Sequence, residues 1–258
     1  LDKRMGFGFL LSNEQAGAGA LSRMQLMAQA AHNLRLNRRM NLRMGMQLGF
    51  GARSIDMGGL VFMDQILRDN AATSIEQGIG GGRQYVDMGA GFLLLSRRVW
   101  FGASANHLTS PNISLNPDYP EQLAMLMSAH GGARIQLVRG PRGRFRRDLI
   151  VSWKYMHQGQ RNQLDVGAYY DLSMFTLGVW YRGVPVQKAV DGSLDVDALS
   201  FVFGFGNRDF KMGYSYDITL NRLGALGTAG THEFSVKYFW DVSRRRDPRP
   251  PYHPCVDY

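Results

Sequence analysis

The sequence predicts an all-β chain, an up-and-down antiparallel transmembrane barrel of the outer-membrane kind with about twelve strands visible. Three observations carry that prediction. The first is a two-residue alternation sustained over long segments. In residues 41–53, Leu42, Met44, Met46, Leu48, Phe50 and Ala52 fall on one face, and Asn41, Arg43, Gly45, Gln47, Gly49, Gly51 and Arg53 on the other. A strand separates such sets, whereas a helix would mix them around its circumference. The segment also exceeds the five or six residues usual in soluble domains and suits the roughly nine to eleven of a tilted membrane strand. Second, many positions opposite the apolar face are Gly or Arg, as a narrow lumen requires, and aromatic residues gather near strand ends. Third, long and short connections alternate along the chain.

In chain order, strands with weaker alternation are expected near 5–11 and 20–34, followed by the strand at 41–53. Residues 84–95 set Val86, Met88, Ala90, Phe92 and Leu94 apart from Gln84, Tyr85, Asp87, Gly89 and Gly91. A weaker strand follows near 98–107, and 128–138 sets Ala129, Ala133, Ile135 and Leu137 against His130, Gly132, Arg134 and Gln136. Leu149, Val151, Trp153 and Tyr155 then alternate with Ser152 and Lys154, with weaker strands near 164–171 and 174–182. Leu199, Phe201, Phe203 and Phe205 alternate with Ser200, Gly204 and Gly206, and a strand near 209–217 follows. The last strand sets Phe234, Val236, Tyr238 and Trp240 against Glu233, Ser235 and Lys237. Tyr85, Trp100, Phe101, Trp153, Tyr155, Trp180, Tyr181, Tyr238 and Trp240 are read as interfacial girdles. Taken singly, each strand also fits one side of a soluble sandwich.

Short links are expected near 35–40, 96–98, 139–147, 172–173 and 207–209, and long ones at 12–19, 54–83, 108–127, 157–163, 183–197 and 218–231. In outer-membrane barrels the short turns are periplasmic. The expected domains are therefore a barrel over 1–242 and a basic, Pro-rich periplasmic tail over 243–258.

A mean hydropathy of -0.24 agrees with half-apolar strands, and no apolar run approaches a spanning helix. No N-terminal secretory signal pattern is seen, so a mature or truncated chain is expected. The single Cys255 excludes an internal disulfide. Met44, Met46, Met88 and Met212 lie on apolar faces, where gap-filling is the natural role.

The net charge of +9 is unevenly spread. Arg35, Arg38, Arg39, Arg97, Arg98, Arg139, Arg142, Arg144, Arg146, Arg147, Arg208, Arg244, Arg245, Arg246 and Arg249 fall in the short links or beyond the last strand. The long loops carry Glu14, Asp56, Asp64, Asp69, Glu76, Asp118, Glu121, Asp191, Asp195 and Asp197. Two readings of the basic rim stand side by side. It can meet outer-membrane lipid headgroups at about 1 kcal/mol per residue near an anionic surface. It can also dock an acidic periplasmic partner, with Arg142, Arg144, Arg146, Arg147, Arg244, Arg245, Arg246 and Arg249 as candidate contacts. No nucleic-acid module accompanies the charge.

Motifs for catalysis are not found. Gly78-Ile79-Gly80-Gly81-Gly82 lacks the Lys-Ser/Thr ending of a phosphate loop. The histidines form no i, i+4 pair, His253 and Cys255 make a poor metal site, and no Gly-x-Ser-x-Gly elbow occurs. Asp165, Asp171, Asp209 and Asp217 suggest turn chemistry or lumenal pairing. No enzyme activity, cofactor or metal is expected.

Gly213-Tyr214-Ser215-Tyr216-Asp217, a long loop, and then Gly230-Thr231-His232-Glu233 resemble the closing hairpin of the PorP/SprF family. Gly8-Phe9-Leu10-Leu11-Ser12-Asn13-Glu14 resembles that family's early hairpin, and Phe101-Gly102-Ala103-Ser104-Ala105-Asn106-His107-Leu108 with Pro111 its mid-chain stretch. The resemblance implies an outer-membrane barrel of Bacteroidota tied to type IX secretion and often to gliding motility. It implies a role in attaching or secreting large surface proteins, or in linking the outer membrane to periplasmic ring components. The family's Asn-Pro-rich opening segment is not found here, so a full-length barrel of about fourteen strands is expected. The tail Arg244-Arg245-Arg246-Asp247-Pro248-Arg249-Pro250-Pro251-Tyr252-His253-Pro254-Cys255 also fits part of the family. Proline favours an extended segment that can lie in a partner's groove, the alternative being a disordered tail. The expected role is an anchor or adaptor with an occluded lumen, in which Arg43, Arg53, Gln47, Arg134 and Lys237 pair with Asp87, Asp165 and Glu233. A small-solute channel is the alternative.

Overall fold

Period-two alternation produces strands through most of the described chain. The structure is a computed structural model that describes residues 4–17, 21–56, 63–68, 82–116, 118–139, 146–172, 174–188, 194–207, 209–220 and 230–240. The strands are β1 (Met5–Ala16), β2 (Leu21–Arg35), β3 (Asn41–Ser54), β4 (Gly82–Leu95), β5 (Val99–Asn106) and β6 (Leu126–Arg139). They continue as β7 (Arg146–Gln158), β8 (Arg161–Asp171), β9 (Phe175–Lys188), β10 (Leu194–Gly206), β11 (Phe210–Thr219) and β12 (Thr231–Tyr238). A single turn of helix, α1 (Met63–Leu67), lies between β3 and β4. Among the described residues no helix is long and apolar enough to cross a membrane.

All twelve strands form one up-and-down antiparallel sheet in which every strand lies beside its neighbours in sequence. The β1–β2 register runs unbroken from Met5↔His32 to Ala16↔Leu21, and β7–β8 from Asp148↔Asp171 to Gln158↔Arg161. The β9–β10 pairing shifts register twice, between Leu194 and Asp195 and between Val196 and Ala198. By compactness the chain divides into two units. The first takes in positions within 1–34, 43–92 and 104–127, and the second those within 35–42, 93–103 and 128–258.

Burial is inverted relative to a protein that packs its apolar face away from water. On β3, Met44, Met46, Leu48 and Phe50 are exposed, while Gly49 and Gly51 are buried and Arg43, Gln47 and Arg53 half-buried. On β4, Val86, Met88 and Phe92 are exposed, whereas Tyr85 and Asp87 are buried. On β10, Phe201, Phe203 and Phe205 are exposed and Ser200, Gly204 and Gly206 buried. Such strands shelter much of their polar face and leave their apolar face exposed, as strands that face lipid do.

Strand ends depart from expectation in one consistent way. The connection expected at 12–19 is reduced to 17–20, that at 157–163 to Gly159 and Gln160, and that at 183–197 to 189–193. Polar residues such as Asn13, Glu14, Gln158 and Arg161 continue the ladder past the apolar alternation. The strict alternation of lengths therefore fails on one side. The other side keeps it, with connections 36–40, 96–98, 140–145, 172–174 and 207–209 all short.

Three expected girdle aromatics do not face outward. Tyr85 and Trp100 are buried among the polar-face positions, and the Trp180 ring covers Gly167 on that same face. Phe101, Trp153, Tyr155, Tyr238 and Trp240 are exposed on the apolar face, as a girdle requires.

Candidate functional site

The polar face is where the chemistry of this chain collects, because alternation directs every charged side chain of the strand interiors to one side. In the first unit, the Gln25 amide reaches the Tyr85 hydroxyl at 3.3 Å, and the Gln47 amide donates to Asn106 Oδ1 at 2.9 Å. Both bonds join strands that are not adjacent, and each crosses a glycine. The Tyr85 ring lies over Gly51, and the Gln47–Asn106 pair lies over Gly89.

At the β5 end of this unit, His107 Nδ1 lies 2.6 Å from Asp87 Oδ2, with both side chains nearly buried. Asp87 Oδ1 also accepts the Met88 backbone N–H at 2.8 Å. Arg53 Nη1 lies 3.3 Å from the Ile113 carbonyl and 3.7 Å from Glu121 Oε2, and Arg83 Nε donates to the Asn112 carbonyl at 3.3 Å.

In the second unit, Arg134 Nη1 lies 3.0 Å from Asp148 Oδ2 and 3.7 Å from Asp171 Oδ2. Asp148 and Asp171 face each other in the β7–β8 register, so one guanidinium serves a directly opposed carboxylate pair. Arg182 likewise serves two carboxylates, its register partner Asp165 on β8 at 3.8 Å and Asp217 on β11 at 3.3 Å. A polar niche of about 240 Å³ opens there, lined by Lys154, Asp165, Arg182, Ser215, Asp217 and Glu233. Near the short connections, the polar face instead carries an apolar cluster of Leu95, Trp100 and Ile150, with Leu93 and Tyr169 against it.

The expected face is thus right, and the expected pairs are different. Asp87 takes His107 rather than an arginine, Arg53 takes Glu121, Gln47 takes Asn106, and Arg134 takes Asp148 and Asp171. Asp165 takes Arg182, Glu233 accepts from Ser215 Oγ at 3.4 Å, and Lys237 Nζ sits 5.8 Å from the Phe239 ring centroid. Asp165, Asp171 and Asp217 pair with arginines on the polar face, and turn chemistry holds for Asp209, whose N–H donates to Asn207 Oδ1. Sequence reasoning did not single out Arg83, Asn112, Asp148 or Arg182 as functional. Their parity on β4, β7 and β9 was the signal available for all but the loop residue Asn112.

Of the candidate rim contacts, Arg147 is exposed at the start of β7, and Arg146 is the first residue of that strand. Arg142, Arg144, Arg244, Arg245, Arg246 and Arg249 lie outside the described residues. Among the described residues no group of His, Cys, Asp and Glu is arranged to hold a metal ion.

A one-sheet, up-and-down chain with an exposed apolar face, a largely sheltered polar face and, among the described residues, no spanning helix fits the transmembrane β-barrel class. The family model for the type IX secretion system membrane protein PorP/SprF matches residues 1–238, and the chain belongs to that family. No curated protein matches it.

Proposed function

We propose that this protein is a non-enzymatic outer-membrane barrel of the type IX secretion and gliding machinery, acting as an anchor or adaptor. It holds either a large secreted surface protein or periplasmic ring components. The observation that carries the reading is the inverted burial of the sheet within a type IX secretion family. The polar face supports it further. Four of its carboxylates share two arginines, and Gly51, Gly132, Gly167 and Gly178 are covered by aromatic rings, an arrangement suited to rigidity.

In this reading residues 1–242 form the barrel, and residues 243–258 form a basic, Pro-rich tail on the periplasmic side. The short connections share that side. Arg142, Arg144, Arg146, Arg147, Arg244, Arg245, Arg246 and Arg249 then form a docking rim for an acidic partner, which electrostatic attraction draws in and salt weakens.

The test is an affinity pull-down from native outer membranes in mild detergent, with bound proteins identified by mass. Recovery of type IX translocon proteins, ring proteins or a large surface adhesin is expected. Replacing Arg244, Arg245 and Arg246 together by Ser is expected to reduce that recovery while the barrel still folds. A barrel that comes through gentle extraction with nothing bound overturns the adaptor role and favours a small-solute channel.

A further inference from the structure

The connection from β5 to β6 does not stand clear of the sheet. β5 ends at Asn106, and the next residues leave the ladder through two non-glycine residues with positive φ, His107 at 60° and Ser110 at 41°. Side chains rarely adopt that conformation, so neighbouring contacts must hold it. Here those contacts come from the sheet. The Leu108 N–H donates to the Met88 carbonyl at 3.0 Å, and Thr109 Oγ1 donates to the Val86 carbonyl at 3.0 Å. Thus the segment docks along the part of β4 that contains Asp87, with His107 clasping that carboxylate.

Further along, the segment is stiffened from within and gripped from below. Asn112 and Gln122 form a β-bridge, and Asn112 Oδ1 accepts the N–H groups of Ser114 at 3.0 Å and Glu121 at 3.1 Å. The Ile113 N–H donates to the Glu121 carbonyl and the Leu123 N–H to the Pro111 carbonyl, each at 2.9 Å. Arg83 binds the Asn112 carbonyl, and Arg53 binds both the Ile113 carbonyl and Glu121. Arg53, Arg83 and Asp87 are all polar-face residues, near where β3 ends and β4 begins. A merely solvated loop would not engage three of them.

We propose that residues 107–116 and 118–122 form a strap folded across the mouth of the polar face of the first unit, closing it to small solutes until its grips are released. The chemistry of the grips sets the release. The arginine grips are charge-assisted bonds to two backbone carbonyls and the Glu121 carboxylate, which a bound segment offering its own carboxylates or carbonyls can replace. The inference rests on the membrane-barrel reading and not on the adaptor role, so the pull-down and the following experiment fail separately.

The experiment compares the purified full chain with the variant Arg53→Ala/Arg83→Ala/His107→Gly in planar bilayers. Hydrogen exchange at the Leu108 amide is followed in the same samples. Glycine at 107 keeps the backbone conformation while removing the clasp. The wild type is expected to be silent. The variant is expected to show stepwise conductance, together with at least a tenfold faster exchange at Leu108. Should the triple variant not fold, Arg53→Ala/Glu121→Ala removes the Arg53 grips on the Ile113 carbonyl and Glu121, leaves those of Arg83 and His107, and is expected to give the same changes, smaller in size. Unchanged exchange shows that these residues do not hold the segment, and faster exchange without conductance shows that it closes nothing. Equal conductance from wild type and variant overturns the proposal as well.

Discussion

Glycines on the polar face make room for the sheet's own aromatic side chains. A Cβ on Gly132 would overlap the Trp100 ring and the Val151 carbonyl oxygen, and the carbonyl cannot swing aside. Gly132→Ala should therefore lose about 1–3 kcal/mol, as overpacking at such a site does. Urea unfolding in lipid vesicles, followed by tryptophan emission, checks this. Gly6→Ala is the control, because nothing lies within 4 Å of a Cβ there and the change should stay within about 0.5 kcal/mol. This scale also marks how far the sequence can be read. Parity alone puts Arg53, Asp87 and Arg134 on one face, but who pairs with whom depends on register. Arg134 meets Asp148 and Asp171 because the β7–β8 register sets those two carboxylates opposite each other. Asp87 meets His107 only because the backbone turns at 107, and no alternation pattern encodes that turn.

At the level of the element, the existence and order of all twelve strands were legible, and several of their ends were not. Apolar alternation marks the stretch of a strand that lies in the membrane band, yet hydrogen bonding continues wherever two polar stretches face each other. Asn13 pairs with Met24 and Gln15 with Ser22, well past the last apolar pair expected of that hairpin. The β7–β8 hairpin closes in two residues, with Gly159 at φ 60° in the first central position. That is where a tight hairpin needs a residue free of a Cβ. Gly159→Val should cost about 1–2 kcal/mol through backbone strain alone. It should leave the polar-face bonds between Arg182 and its carboxylates intact. The expected signature is a lowered urea midpoint with unchanged slope. A changed slope would mean that the hairpin tip also orders structure beyond itself.

Taken as a whole, the molecule has one property on which every functional statement depends, the direction its two faces point. Gly45 and Met46 are adjacent on β3 and lie on opposite faces, which makes them a matched pair of probes. Met46 is 69 % exposed on the apolar face. A Cβ at Gly45 meets only ordinary contacts, 3.5 Å from the Ala30 carbonyl oxygen and 3.9 Å from the Ala31 Cβ. In a bilayer, Met46→Lys places an ammonium against acyl chains near mid-strand and should cost about 2–4 kcal/mol. Gly45→Lys adds its charge to a face that already holds Arg43, Gln47 and Arg53 and should cost no more than about 1 kcal/mol. The reverse ranking is expected of a protein whose surroundings are water, where a lysine in place of an exposed methionine is close to neutral. Folding yields and urea midpoints of the two variants, measured side by side in vesicles, decide between these outcomes. A Met46→Lys variant as stable as Gly45→Lys would remove lipid from the apolar face, and the outer-membrane reading would fall with it.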